Sequence, residues 1–238
     1  MSTTPSKAAK DAPSAKPCLV FELETIAFNG SQAIYEALET VFKTRGFQLT
    51  PEIFIRFNLT RPTPRALNRM TTALAINSSG IEAMSAEIAQ QWPKKLAQTK
   101  AVPAVVKLLG DAARQGIPLG AITGCPADPA AQDLIKALAL KAEVALVNLP
   151  AANGNGRPRP EAWTKLAHQM QAAPAQCVAL ANSAVTAQAA IMAGMHAVAI
   201  PDGFSVFQDF GGTDMVFEKP ASLPLAEIMA LAAPVTKA

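Results

Sequence analysis

Glu22 and Glu24 stand two residues apart at the end of the apolar run "CLVFEL", within "CLVFELETIAFNG" at residues 18–30. Paired carboxylates at the end of such a run usually mean catalysis. Residues i and i+2 of an extended segment point the same way, so one crevice would receive both.

Other strand ends add to that crevice. The run at 117–122 ends in Thr123, Gly124 and Cys125, and the run at 177–181 ends in Ala181, Asn182 and Ser183. A loop after 148 carries Arg157 between Gly156 and Pro158. A hydroxyl, a cation and backbone donors can hold a phosphate without a metal. For Arg157 the alternative is an ordinary surface-loop arginine. The surrounding "NGNGRPRP" is glycine-rich, but it does not join a strand to a helix with the spacing of a phosphate-binding fingerprint. Arg61, Arg65 and Arg69 recur every four residues, and a solvated helical face is favoured over a second anion-binding row. His168 and His196 are isolated and are read as non-catalytic. Met70, Met84, Met170, Met192 and Met195 are expected to pack in the core or beneath the helical region.

The elements that would position these residues follow from periodicity and punctuation. "CLVFEL" reads as a buried strand. "SQAIYEALETVFKTRG" is a helix with Ala33, Ile34, Ala37, Leu38, Val41 and Phe42 on one face and Gly46 as its stop. Thr50-Pro51 and Thr63-Pro64 read as N-caps followed by proline, opening helices near 51–58 and 64–76. A further helix spans roughly 81–99, with Pro93 expected to kink or divide it. From about 103 helices and strands alternate, which implies a parallel sheet with its sites at the carboxyl ends of the strands. The expected fold is α/β: a Rossmann-like parallel-sheet core (18–30 and 100–238), a helical cap subdomain inserted at 31–99, and a disordered tail at 1–17.

The motifs and their order resemble the haloacid dehalogenase superfamily, in its branch of small phosphatases and phosphomutases with a helical cap. "VFELETIAFNG" resembles the first motif, normally Phe-Asp-x-Asp-Gly-Thr. "LGAITG" is similar to the second and "NGRPRPEAW" to the third, normally Lys-Pro-x-Pro. "VALANSAVTAQAAIMAGMHAVAIP" is similar to the fourth and is the most specific match, keeping Ser183, Ala189-Ala190, Ala193-Gly194-Met195 and Pro201 in register. The resemblance implies a nucleophile at position 22 and an acid–base at 24. It implies a phosphoryl-holding hydroxyl at Thr123, a cation at Arg157, and fourth-motif acids that help to hold Mg²⁺.

This chain departs from that pattern at several roles together. Glutamates replace both aspartates, Thr25 and Ile26 replace Gly-Thr, Arg157 replaces lysine, and Ala181 and Asn182 replace the acidic pair. One extra methylene moves a carboxylate by about 1 Å, a displacement that can cost about 100-fold in rate. The expectation is a Mg²⁺-dependent phosphatase reaction that is lost or severely weakened, in a cleft that binds a small phosphorylated ligand or a protein partner. Glu22 and Glu24 then mark the catalytic positions, and Thr123, Gly124, Arg157, Asn182 and Ser183 are the candidate ligand-binding residues. The alternatives are an active phosphatase of a small phosphate ester with Glu22 as nucleophile, and a structural or oligomeric protein with the cap as its interface. No cofactor is expected, except Mg²⁺ if hydrolase activity persists, and no metal-ligand set is assigned.

Half of the 238 residues are hydrophobic and 16% are charged, enough to fill a substantial core. A net charge of +3, dispersed along the chain, argues against nucleic-acid or membrane-surface partners. The most apolar stretch, 177–201, is interrupted by polar residues, which argues against a transmembrane span. Three scattered cysteines, Cys18, Cys125 and Cys177, suit buried thiols in a reducing, cytoplasmic setting.

Overall fold

The structure is a computed structural model that describes residues 16–57, 63–76, 79–125, 128–149, 159–218 and 221–233. The N-terminal tail to residue 15, Arg61 and the Arg157 loop lie outside these residues.

Five parallel strands carry the sheet: β1 (Cys18–Glu22), β2 (Leu119–Thr123), β3 (Val144–Asn148), β4 (Cys177–Ala181) and β5 (His196–Ala199). A two-residue β6 (Met215–Val216), not anticipated from the sequence, extends it to the order β3-β2-β1-β4-β5-β6. β1 is apolar through Phe21 because both of its faces are covered, as a central parallel strand requires. Its alternation sorts side chains between two clusters. Leu19 and Phe21 join one with α6 (Pro103–Arg114) and with Ala131 and Leu134 of α7 (Asp128–Ala137). Cys18 and Val20 join the other, with Trp163 and Leu166 of α8 (Pro160–Gln169) and Ala189 and Ala190 of α9 (Ala184–Met192). A short α10 (Leu225–Ala230), also unanticipated, buries Leu225 and Ile228 in the first cluster.

The chain runs outward from β1 through β2 to β3, then returns to β4 on the other side of β1. The sheet therefore reverses direction around β1, and the crevice beyond its carboxyl end is where such folds place a site. Register brings the ends together: Glu22 pairs with Ile122, and Phe21 with Leu180, so Thr123 and Ala181 flank Glu22.

After β1 comes one helical turn, α1 (Leu23–Ile26), and then the inserted helices α2 (Gly30–Lys43), α3 (Pro51–Phe57), α4 (Pro64–Ala73) and α5 (Ile81–Leu96). The excursion closes where Phe28 bridges Ala101 and Val102 N donates to Ala27 O. Thr63 caps α4 as expected, its hydroxyl accepting from Ala66 N. Pro93 does not divide α5. The helix continues because Ile88, Trp92 and Leu96 are buried on one side of it and Ala97 N still reaches Pro93 O. Leu67, Met70, Met84 and Ile88 belong to the same hydrophobic cluster as Leu19 and Phe21, so the inserted helices and the sheet share one core. Met192 departs from its expected packing: it ends α9 on the surface, 74% exposed, while Met70, Met84 and Met195 are buried. The three cysteines are buried and none is in a disulfide. No helix among the described residues is long and apolar enough to cross a membrane.

Candidate active site

The two glutamates do not point together. β1 ends at Glu22, which keeps an extended backbone, while Glu24 lies within the α1 turn. The turn buries Leu23, Ile26 and Ala27 on one side, an i, i+3, i+4 set that an extended chain would scatter over both faces. The expectation that both carboxylates project alike from one extended segment is thereby corrected.

Glu22 turns toward β4 and α9. Its Oε2 accepts from Asn182 N at 2.8 Å, and its Oε1 accepts from Thr186 Oγ1 at 3.0 Å. Glu24 turns the other way, toward the end of β2. Its Oε1 accepts from Thr123 Oγ1 and from Cys125 N at 2.9 Å, and its Oε2 from Gly124 N at 3.3 Å. Glu22 is 7% and Glu24 5% exposed. Burial, the dominant effect, pushes the Glu22 carboxyl up to about 7, against the hydrogen bonds from Asn182 and Thr186, which favour the ion. The charge of Glu24 raises it further. Burial likewise raises Glu24, opposed by the hydrogen bonds from Thr123 and the backbone N–H groups of Gly124 and Cys125.

The remaining strand-end residues serve this frame. Ser183 caps α9, accepting from Thr186 N at 3.3 Å, and its hydroxyl lies 2.9 Å from Thr186 Oγ1. Asn182 is tied at both ends of its amide: Nδ2 donates to Ile200 O at 3.3 Å, and Oδ1 accepts from Ser31 Oγ at 3.4 Å. Ser183 and Asn182 thus brace the cleft through contacts within the chain. Arg65 and Arg69 are exposed, as a solvated face requires. His168 is exposed, and His196 lies 3.3 Å from Asp214, in neither case beside the glutamates' hydrogen-bond partners.

Sequence reasoning missed Thr186, Trp92 and Gly30. Thr186 follows the Ser183 cap by three residues, so a polar side chain in the first turn of α9 was its available signal. Trp92, on α5, comes close to the Thr123–Cys125 corner: a methyl added at Gly124 would lie 3.4 Å from its Cη2. That contact joins residues with no local signal. Gly30 begins α2 against the α1 turn, where an added Cβ would sit 2.4 Å from Glu24 O and 2.7 Å from its carbonyl carbon. Backbone cannot yield as a side-chain tip does. Gly30→Ala is therefore expected to cost about 2 kcal/mol of stability, read as a lower denaturation midpoint in urea.

The magnesium site implied by the resemblance does not fit these residues. Ala181 offers a methyl group where a carboxylate is needed, and Asn182 is already held by Ser31 and Ile200. Both oxygens of Glu22 are engaged by protein donors, and Glu24 faces the Thr123 corner. Among the described residues no group of three or more His, Cys, Asp or Glu side chains is placed to hold a metal ion. A hard cation that favours several oxygen ligands in near-octahedral array has no such set here.

Residues 19–200 match the family model of the haloacid dehalogenase-like hydrolases. The fold matches CbbY from Rhodobacter sphaeroides in complex with phosphate, with a TM-score of 0.69 at 17% identity over 85% of this chain and 93% of that one. It also matches β-phosphoglucomutase from Clostridium difficile (TM-score 0.70, 14% identity, 91% and 97% covered). A predicted phosphoglycolate phosphatase from Haemophilus somnus gives 0.68 at 14% identity, with 86% and 94% covered. No curated protein matches the sequence. At these identities the solved structures speak for the fold.

Proposed function

Because the chain belongs to the haloacid dehalogenase-like hydrolase family, we propose that it keeps the family's cleft while its Mg²⁺-dependent turnover of phosphate esters is lost or severely weakened. The observation that carries this is the engagement of Glu22. The group at the nucleophile's position accepts hydrogen bonds at both oxygens, and burial raises its pKa to about 7, so near neutrality much of it is protonated. A protonated carboxyl is a poor nucleophile, and the described residues around it supply no metal site to reverse that. On this reading the cleft serves to bind a small phosphorylated ligand or a protein partner, with Arg157 as the cation that approaches an anionic ligand. No nucleic-acid or membrane partner is proposed.

A second reading, favoured by family membership taken alone, is an active phosphatase of a small phosphate ester with Glu22 as nucleophile and Glu24 as acid–base. The neighbouring CbbY structure holds phosphate, which is consistent with a phosphate-sized cleft in this fold. A broad panel of phosphate esters, assayed with Mg²⁺ and other divalent ions, separates the two. The expected result is hydrolysis indistinguishable from the buffer background. Turnover that Glu22→Gln abolishes would establish the second reading instead.

A further inference from the structure

Thr123 Oγ1, Gly124 N and Cys125 N converge on one buried carboxyl group, and that group belongs to the chain itself. Donors that share one focus form a concave anion site, worth most where water is excluded. Here Thr123 is fully buried, and the buried Trp92 of the inserted helices approaches Gly124. The corner also has internal support that does not involve the glutamate. Cys125 N lies 3.1 Å from Thr123 Oγ1, and Leu149 N fixes Thr123 O from the neighbouring strand end at 2.8 Å.

The fit of Glu24 to this corner is incomplete. A planar carboxylate brings two oxygens to three donors, so Oε1 is shared between Thr123 and Cys125 while Oε2 makes the longer 3.3 Å contact with Gly124. A tetrahedral oxyanion can offer a separate oxygen to each donor. Glu24 can also leave at modest cost, because a carboxylate desolvated by burial regains its hydration when it swings out. The raised pKa of the group is the mark of that unfavourable desolvation.

We propose that Glu24 is an internal ligand that fills the oxyanion hole of the cleft, so that an external phosphate group binds there only by displacing it. The inference rests on the reading of the cleft given above, but it concerns occupancy rather than turnover. It assigns Glu24 the part of a plug, in place of the acid–base part that its position in the motif implies. Removing the plug leaves three preorganised donors and takes away a competing negative charge.

The test is an NMR titration of the full chain with inorganic phosphate, following the amide signals of Gly124 and Cys125. Glu24→Ala is expected to bind phosphate at least about tenfold more tightly than the wild type, since each donor to a charged oxygen is worth roughly a factor of ten. Both amides should shift in a saturable way, and phosphate should raise the melting temperature of the variant more than that of the wild type. Should Glu24→Ala fail to fold, Glu24→Gln decides: it keeps the side-chain shape but offers one acceptor oxygen, and its affinity should still exceed that of the wild type. Equal binding by the wild type and the folded variant would overturn the proposal. So would the absence of any phosphate-dependent shift at Gly124 and Cys125 in the variant. Ester hydrolysis by the wild type is a separate measurement: turnover there would refute the proposed function, whereas the titration alone judges the plug.

Discussion

Glu22→Gln is expected to make the protein more stable at pH 8, by about 3 kcal/mol, and no more stable near pH 4. The carboxyl of Glu22 titrates at about 7 in the folded chain, above the ordinary carboxylate value of 4.5. A raised native pKa means that the folded state binds the proton more tightly than the unfolded state does. The stability this provides is complete below the unfolded value and is lost as pH rises from about 4.5 through 7. Above 7 the chain bears the full cost of a buried carboxylate, about 3 kcal/mol for a shift of this size. Glutamine removes the charge and keeps the shape. Its carbonyl can accept from Asn182 N, and its amide N–H can donate to Thr186 Oγ1, whose hydroxyl also has Ser183 as a partner. For a domain of this size the expected gain in melting temperature at pH 8 is roughly 6–12 °C, shrinking toward zero as the pH approaches 4.5. Because the described residues of the cleft offer no magnesium site, adding Mg²⁺ should leave both melting curves where they are. A variant that is less stable at pH 8, or a wild type stabilised by Mg²⁺ through Glu22, would show that the carboxylate works for the fold or for an ion.

How much of this was legible in the sequence depends on the range over which each signal acts. The strands that gather the site were readable because their apolar runs are uninterrupted, and the N-cap at Thr63 because a hydroxyl before a helix is a local pattern. The order of the motifs along the chain sufficed to place Glu22, Thr123 and Asn182 around one crevice. Where the side chains point was a different matter. "FELETI" alternates apolar and acidic residues and so mimics a continuing strand, yet Leu23, Ile26 and Ala27 also satisfy helical spacing, and burial chose the helix. That choice sent Glu24 to Thr123 and Glu22 to Thr186, an outcome set by what the neighbouring strand ends offer as donors. The continuity of α5 through Pro93 was hidden for a similar reason, since it depends on packing that no window around the proline contains. The two-residue β6 is too short to carry any period at all.

A variant combining Glu22→Asp, Glu24→Asp and Asn182→Asp is expected to hydrolyse a simple phosphate ester with Mg²⁺ at least about 100-fold faster than the wild type, while each single change stays at background. The asymmetry follows from how the roles depend on one another. Shortening Glu24 by one methylene withdraws its carboxylate from Thr123, Gly124 and Cys125, leaving those donors for a phosphoryl group. By itself that yields a better binding site and no nucleophile. Shortening Glu22 draws its carboxylate back from Thr186 and Asn182 N, but without a nearby cation it remains a buried acid that favours its neutral form. Asn182→Asp supplies the missing negative charge beside it, yet alone it adds a third acid to a cleft where two are already held above their ordinary pKa. Residues that act as a unit give strongly non-additive effects, and a misplacement of about 1 Å is worth about 100-fold on its own. The control is the same combination carrying Glu22→Asn in place of Glu22→Asp, which should return to background if the restored reaction passes through that carboxylate. A wild type that already matches the triple variant would show that glutamate serves in both positions. A folded triple variant that binds phosphate and still fails to turn it over would move the decisive defect to the departures it leaves in place, at Thr25, Ile26, Arg157 and Ala181, of which Ala181 is the member of the fourth-motif pair still without an oxygen ligand.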